Sequence, residues 1–317
     1  MQGELTERQA LIALNALPGL GPIALNRLLG GFSADPRAAM AADRRRIEAV
    51  LGQGPAATAV VGWRDHFNPA KEEARMAASG VAFVGRADPG YPPLLREIHD
   101  PPVGLYRKGA YGFGEPCVAV VGSRRATLYG QSVAGMLGAE LARLGFCVVS
   151  GLARGIDTAA HEGALSAGGR TAAVLGTGID IVFPPENLGL YRRISQEGAL
   201  LTESPFGRQA DRDSFEMRSR IISGICEAVV VVESDLRGGA MATARFAGEQ
   251  GRLLFAVPGR IDQSSSSGCN QLIRDGAALL TKVDDLLQEI QYLGGLRPSP
   301  IPPPPAGRRA DAAGQAG

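Results

Sequence analysis

After Pro116 the chain falls into a rhythm that leaves few folds open. Short runs that are almost entirely apolar, CVAVVG, FCVVSG, TAAVLG, ALLTES, AVVVVES, LLFAVPG and AALLT, alternate with helical segments such as GQSVAGMLGAELARLG and MATARFAGEQG. A strand that is apolar at every position must be covered on both faces, and a parallel sheet with helices on either side provides that cover. The pattern predicts an α/β domain with a doubly wound parallel sheet. Only 5% of residues are aromatic while 43 are Gly, which suits tight βα turns better than an aromatic-rich β-sandwich.

The regions before and after this core read differently. Residues 1–68 are helical: LTERQALIALNAL has helical apolar spacing with Thr6 as its N-cap. LPGLGPIALNRLL then gives a Gly-rich turn feeding a second helix, a pattern that resembles a helix-hairpin-helix. From residue 71 a short unit of helix (KEEARMAASG), strand (VAFVG), the proline-broken GYPPLLREIHDPP and strand (VGLYRKG) leads into the regular core, so the α/β domain is taken as 71–291. Residues 297–317, RPSPIPPPPAGRRADAAGQAG, cannot bury a core and are expected to be a Pro-rich disordered tail.

In a doubly wound sheet, ligands bind where strand C-termini meet helix N-termini. Glycine turns at such places expose amides that can hold anions. Here they place Gly122, Ser123 and Arg124, then Gly151, Arg154 and Gly155, then Gly176, Thr177 and Gly178, and finally Arg237, Gly238 and Gly239 on one edge. With VPGRIDQSSSSGCN these make five Gly-rich turns, with arginines among them, and they predict a phosphate-binding rim. No lysine occurs from residue 109 to 281, so phosphate contacts there fall to Arg or to backbone N–H groups.

Several chemistries are disfavoured. No GxGxxG follows CVAVVG, and the next strand ends in Ser150 where a ribose-binding carboxylate would be expected, so a dinucleotide fits badly. No Gly-Lys-Ser or Gly-Lys-Thr occurs, which argues against a Walker A loop and ATP hydrolysis. His161 is the only histidine of the core, beside an Asp157 read as a helix cap, and no nucleophile stands at a defined spacing from it. Asn187 likewise reads as a cap. The four cysteines are scattered, without a metal or disulfide spacing. No apolar stretch is long enough to span a bilayer, and MQGELTERQA has no signal-like apolar region, so a cytoplasmic protein is expected. Formal charge is only +1, so a nucleic-acid role rests on a local patch.

The stretch FEMRSRII adds a puzzle. Arg218 and Arg220 lie about 200° apart on a helix, so one solvated face cannot serve both. One can face the strand-end groove while the other braces a carboxylate such as Glu203 or Glu233. Alternatively both belong to an internal network, with Phe215 in the core.

The ordered set VAVVGSR, VSGLARGIDTAAH, VLGTGIDIVFPPEN, FEMRSRIISG, AVVVVES…GGAMATA, FAVPG and GCNQLIRDGA resembles the DprA/Smf family of DNA-processing proteins over roughly residues 85–290. The resemblance implies an extended Rossmann fold with a small SAM-like helical domain before it. It further implies a homodimer that binds single-stranded DNA, protects incoming strands in natural transformation and loads RecA, with no catalysis and no cofactor. The family pattern F-x-x-R-N-R maps onto Phe215, Arg218, Ser219 and Arg220 and, with Gly122-Ser123-Arg124, makes these DNA contacts; Ser219 replaces its Asn. Phe215 could supply a stacking surface for bases. Many members carry a winged-helix-like module after the core, where this chain has the proline-rich segment, so that module's functions do not carry over. The rival reading is a nucleotide phosphoribohydrolase of the lysine-decarboxylase-like group, suggested by GGAMATA, with Glu249 as its nominated carboxylate.

Overall fold

A computed structural model describes residues 5–110 and 112–294, with side chains to residue 291. The proline-rich segment 297–317 lies outside the described residues. Nine strands form one sheet: β1 (Val81–Gly85), β2 (Gly104–Lys108), β3 (Cys117–Val121), β4 (Cys147–Ser150), β5 (Thr171–Val174), β6 (Ala199–Thr202), β7 (Ala228–Val231), β8 (Leu253–Ala256) and β9 (Ala278–Leu279). Their order is β1-β2-β6-β5-β4-β3-β7-β8-β9. All pairs from β6 to β9 are parallel, and β1–β2 and β2–β6 are antiparallel.

The all-apolar runs are buried as their composition requires. Along β3, Val118 and Val120 face one helical layer while Cys117, Ala119 and Val121 face the other, the period-2 alternation of a strand covered on both sides. The two short strands of residues 81–108 do not form a unit of their own. They extend the same sheet beyond β6, which is what makes this Rossmann fold an extended one.

Six helices open the chain: α1 (Glu7–Ala16), α2 (Pro22–Gly31), α3 (Pro36–Ala41), α4 (Arg44–Leu51), α5 (Pro55–Val61) and α6 (Trp63–His66). Thr6 caps α1 in a reciprocal capping box with Gln9. These helices bury Leu14, Leu28, Ile47 and Trp63 in a core of their own. That core is tied to the sheet: Ile12 packs with Phe83 and Tyr106, and Asn15 Nδ2 donates to the Glu203 carbonyl at 2.7 Å.

The next helices are α7 (Pro69–Ser79), α8 (Leu128–Arg143), α9 (Ile156–Ser166) and α10 (Leu188–Glu197). The last four are α11 (Arg212–Ile225), α12 (Gly239–Glu249), α13 (Ser267–Arg274) and α14 (Val283–Gly294). Helices α8, α9 and α14 cover one face of the central strands, while α11, α12 and α13 cover the other. The chain runs outward from β3 through β4, β5 and β6, then returns to place β7 on the other side of β3. Strand order therefore reverses between β3 and β7, and the crevice at their C-terminal ends is where such a sheet binds ligands.

Candidate nucleic-acid groove

A groove of about 910 Å³ lies at that reversal. Its floor is the Gly122–Arg125 turn after β3 and the Ser234–Asp235 turn after β7; the start of α12 and the first half of α11 form its walls. Gly122 is required where it stands, because a Cβ there would come within 2.5 Å of Ile156 and 2.8 Å of the Glu233 carbonyl. Ser123 N–H donates to that same carbonyl at 2.7 Å, which locks the β3 and β7 turns together. Glu233 itself does not meet an arginine: its carboxylate accepts from Thr127 Oγ1 at 2.7 Å and so anchors the start of α8.

Six arginines line the groove: Arg124, Arg125, Arg212, Arg218, Arg237 and Arg245. Arg245 is neutralised at the rim by Glu216 and Glu249. Arg124, Arg125, Arg212 and Arg237 have no carboxylate ion pair among the described residues. Arg124 extends over the Phe215 ring, with its guanidinium carbon 4.6 Å from the ring centroid, so its planar head is held without its charge being met. Helix α12 has Gly238 at its N-cap and therefore no side-chain cap, leaving its first amides to the groove.

Arg218 and Arg220 divide as their 200° separation requires. Arg218, 7% exposed, donates from Nη1 to the carbonyls of Gly151 and Val174 at 2.6 and 2.7 Å, the ends of β4 and β5. Its Nε has no partner, and its head forms part of the groove floor. Burial pulls this guanidinium below the usual arginine range; Asp157 opposes that pull and the charge of Arg124 adds to it. An incoming anion would relieve both unfavourable effects. Arg220 is fully buried and does not line the groove. It bridges Asp100, at 3.2 Å, and Glu203, so of the two acids considered from sequence it braces Glu203.

The remaining expected contacts separate in the same way. Gly151 lies behind Arg218, where a Cβ would be 1.9 Å from Nη1. Arg154 is at the surface, paired with Glu186, and Gly155, at φ +74°, allows the loop to pass against the Ser123 carbonyl. Gly176, Thr177 and Gly178 are buried and do not line the groove; Gly178 packs against the Pro205 carbonyl, and Thr177 Oγ1 donates to Ile181 O. Gly122, Ser123, Arg124, Phe215, Arg218, Arg237, Gly238 and Gly239 are the expected residues that the fold brings together. Phe183, Arg125 and Arg212 join them without having been singled out in the sequence.

Two expected caps act otherwise. Asp157 accepts from Gly151 N and Ala153 N, bracing the loop before α9 and not the helix itself. Asn187 donates to Leu152 O and to Thr158 Oγ1, both at 2.9 Å, fastening the start of α10 to that loop. His161 is buried with Nδ1 2.6 Å from Thr171 Oγ1; desolvation pulls its pKa down to about 3, with the Arg218 charge adding. Since the Thr171 hydroxyl donates to Val148 O, the ring must donate from Nδ1, which fixes a neutral structural imidazole. Among the described residues no cluster of three or more His, Cys, Asp or Glu could hold a metal. No described helix is long and apolar enough to cross a membrane.

An open sheet with an arginine-lined groove at its switch point puts the protein in the Rossmann class, with a groove whose charge suits an anion. The sequence profile of the DNA recombination-mediator protein A family matches residues 82–291. The chain belongs to that family, the DprA/Smf group of DNA-processing proteins, and the family is one of mediators, not of enzymes. Protein Smf of Synechocystis is 35% identical over 300 residues, 90% of this chain and 73% of that protein. The X-ray structure of DNA processing protein A from Streptococcus pneumoniae matches with a TM-score of 0.78 at 33% identity, covering 90% of this chain and 99% of that one. DNA processing protein A from Helicobacter pylori, solved for its single-stranded DNA binding mode, matches with a TM-score of 0.61 at 28% identity, over 67% of this chain and 96% of that one.

Proposed function

We propose that this protein binds single-stranded DNA in the β3/β7 groove and acts as a recombination mediator. In that role it protects incoming strands in natural transformation and, as a homodimer, loads RecA onto them. The observation that carries the reading is the combination in one groove of unpaired guanidiniums (Arg124, Arg125, Arg212, Arg237) with the aromatic rings of Phe183 and Phe215. Guanidiniums and helix-start amides meet phosphates, and an exposed ring meets unstacked bases, which only a single strand offers freely. The single-strand binding described for the Helicobacter pylori relative supports it.

The phosphoribohydrolase reading loses its carboxylate. Glu249 is the last residue of α12, roughly 15 Å along the helix from the glycine turn at its start at a rise of about 1.5 Å per residue, and is ion-paired to Arg245. Affinity for a homopolymeric single strand and for a blunt duplex of equal length, measured with RecA filament nucleation on the same strand, tests the proposal. A marked single-strand preference and faster nucleation are expected. Equal affinity for the duplex overturns the first part, and unchanged nucleation overturns the second.

A further inference from the structure

The sequence nominates Phe215 as the surface on which bases would stack, but its ring is already in use. Arg124 lies over it at 4.6 Å, and Arg218 stands 6.0 Å from its centroid. Gly176 is so close to its edge that a Cβ there would be 2.9 Å from Cδ1. Phe183 leans on it at 5.4 Å with the planes inclined by 44°. Phe215 is half-buried by these neighbours and holds the guanidinium of Arg124 in place.

Phe183 has the opposite character. It lines the same groove, contacts Phe215 on one side, and is 38% exposed. Packing on Phe215 accounts for its inner side only. The exposed part of the ring is an apolar π surface one ring away from Arg124, in a wall otherwise rich in charge. A phosphate has no use for such a surface, and a nucleobase does, because every base has a π face whatever its hydrogen-bonding edge.

We propose that Phe183 is the nucleobase platform of the groove: one unpaired base stacks on its exposed face while Arg124, held by Phe215, takes a neighbouring phosphate. The inference rests on the reading of the groove as a single-strand site and assigns its base-contacting part. Stacking of this kind is sequence-tolerant, so the platform adds affinity for bases in general and reads no particular one.

The test compares an oligo-dT strand with an abasic strand of equal length, for the wild-type protein and for Phe183→Leu, Phe183→Trp and Arg124→Ala, across a salt series. Leucine keeps apolar bulk against Phe215 and removes the ring. Phe183→Leu is expected to bind oligo-dT roughly 5- to 100-fold more weakly, with abasic binding and the salt slope unchanged. Phe183→Trp is expected to keep the preference for bases. A wild-type ratio of oligo-dT to abasic affinity in Phe183→Leu overturns the platform, as does an equal loss for both strands. If Arg124→Ala weakens both strands while Phe183→Leu leaves the ratio intact, the groove reading stands and the platform alone falls. If the wild-type protein binds neither strand, both fall.

Discussion

Replacing Arg220 by alanine should unfold the protein more readily without emptying the groove. The guanidinium is fully buried between Asp100 and Glu203, whose side chains are about 20% and 19% exposed. Removing it strands two carboxylates that water reaches only partly. Breaking a buried pair typically costs about 3–5 kcal/mol, and the residual exposure of the acids puts this site near the lower end. At about 2–4 °C per kcal/mol for a chain of this size, the melting temperature should fall by roughly 6–12 °C. The pH dependence is also set. Burial raises the Glu203 pKa above its ordinary value, and Arg220 acts against that rise. With the guanidinium gone the folded-state pKa climbs further. A carboxyl whose pKa is higher folded than unfolded costs stability as pH rises through the folded value. The deficit of Arg220→Ala should therefore be larger at pH 8 than at pH 5. Because Arg220 lies outside the groove, single-strand affinity below the melting transition should fall less than in Arg124→Ala. Calorimetric melts at both pH values, paired with titrations at 20 °C, check this. A variant that melts with wild type at pH 8, or suffers more at pH 5, refutes the reasoning.

Three further outcomes are expected. Gly151→Ala should be destabilised by about 1–3 kcal/mol, since its methyl collides with the Arg218 head that ties β4 to β5; denaturant melts report this, and a neutral change contradicts that role. His161, with its pKa pulled down to about 3, should show no imidazole titration by NMR between pH 5 and 8; the stability it contributes is present above the unfolded value near 6.5 and is lost as pH falls toward 3, so His161→Gln should flatten the acid-denaturation curve over that window. Deleting residues 297–317, rich in Pro, Ala, Gly and Arg, should leave the melting temperature and the low-salt dissociation constant unchanged.

The parallel core was legible because its strands are apolar at consecutive positions, and that signal is local. The attachment of β1 and β2 was not, because β2 pairs with β6, and Tyr106 meets Thr202 across nearly a hundred residues of chain. Arg124 was legible for a comparable reason: a side chain on a glycine turn at a strand end has the groove before it whichever way the helices pack. Glycine itself misled at residues 176–178. A glycine-rich turn lets either a ligand or another chain segment come close, and here the Phe215 ring and the Pro205 carbonyl do so. The 200° between Arg218 and Arg220 was a true signal of divided labour, yet only the packed structure shows that Arg218 keeps the groove and Arg220 leaves it. Phe183 gave no signal, being one aromatic before two prolines, and its value comes from contact with a ring 32 positions away.

The most direct test of the groove as the DNA site is the salt dependence of single-strand affinity for wild-type protein and Arg124→Ala. Arg124 carries no carboxylate ion pair among the described residues, so its loss should leave the melting temperature in place. Single-strand affinity should fall by about 1–3 kcal/mol, and the slope of log K against log salt should become shallower by about 0.7 for the lost phosphate contact. If Arg124→Ala binds single strands as tightly as wild type with an unchanged slope, the groove at β3 and β7 is not where this protein holds DNA.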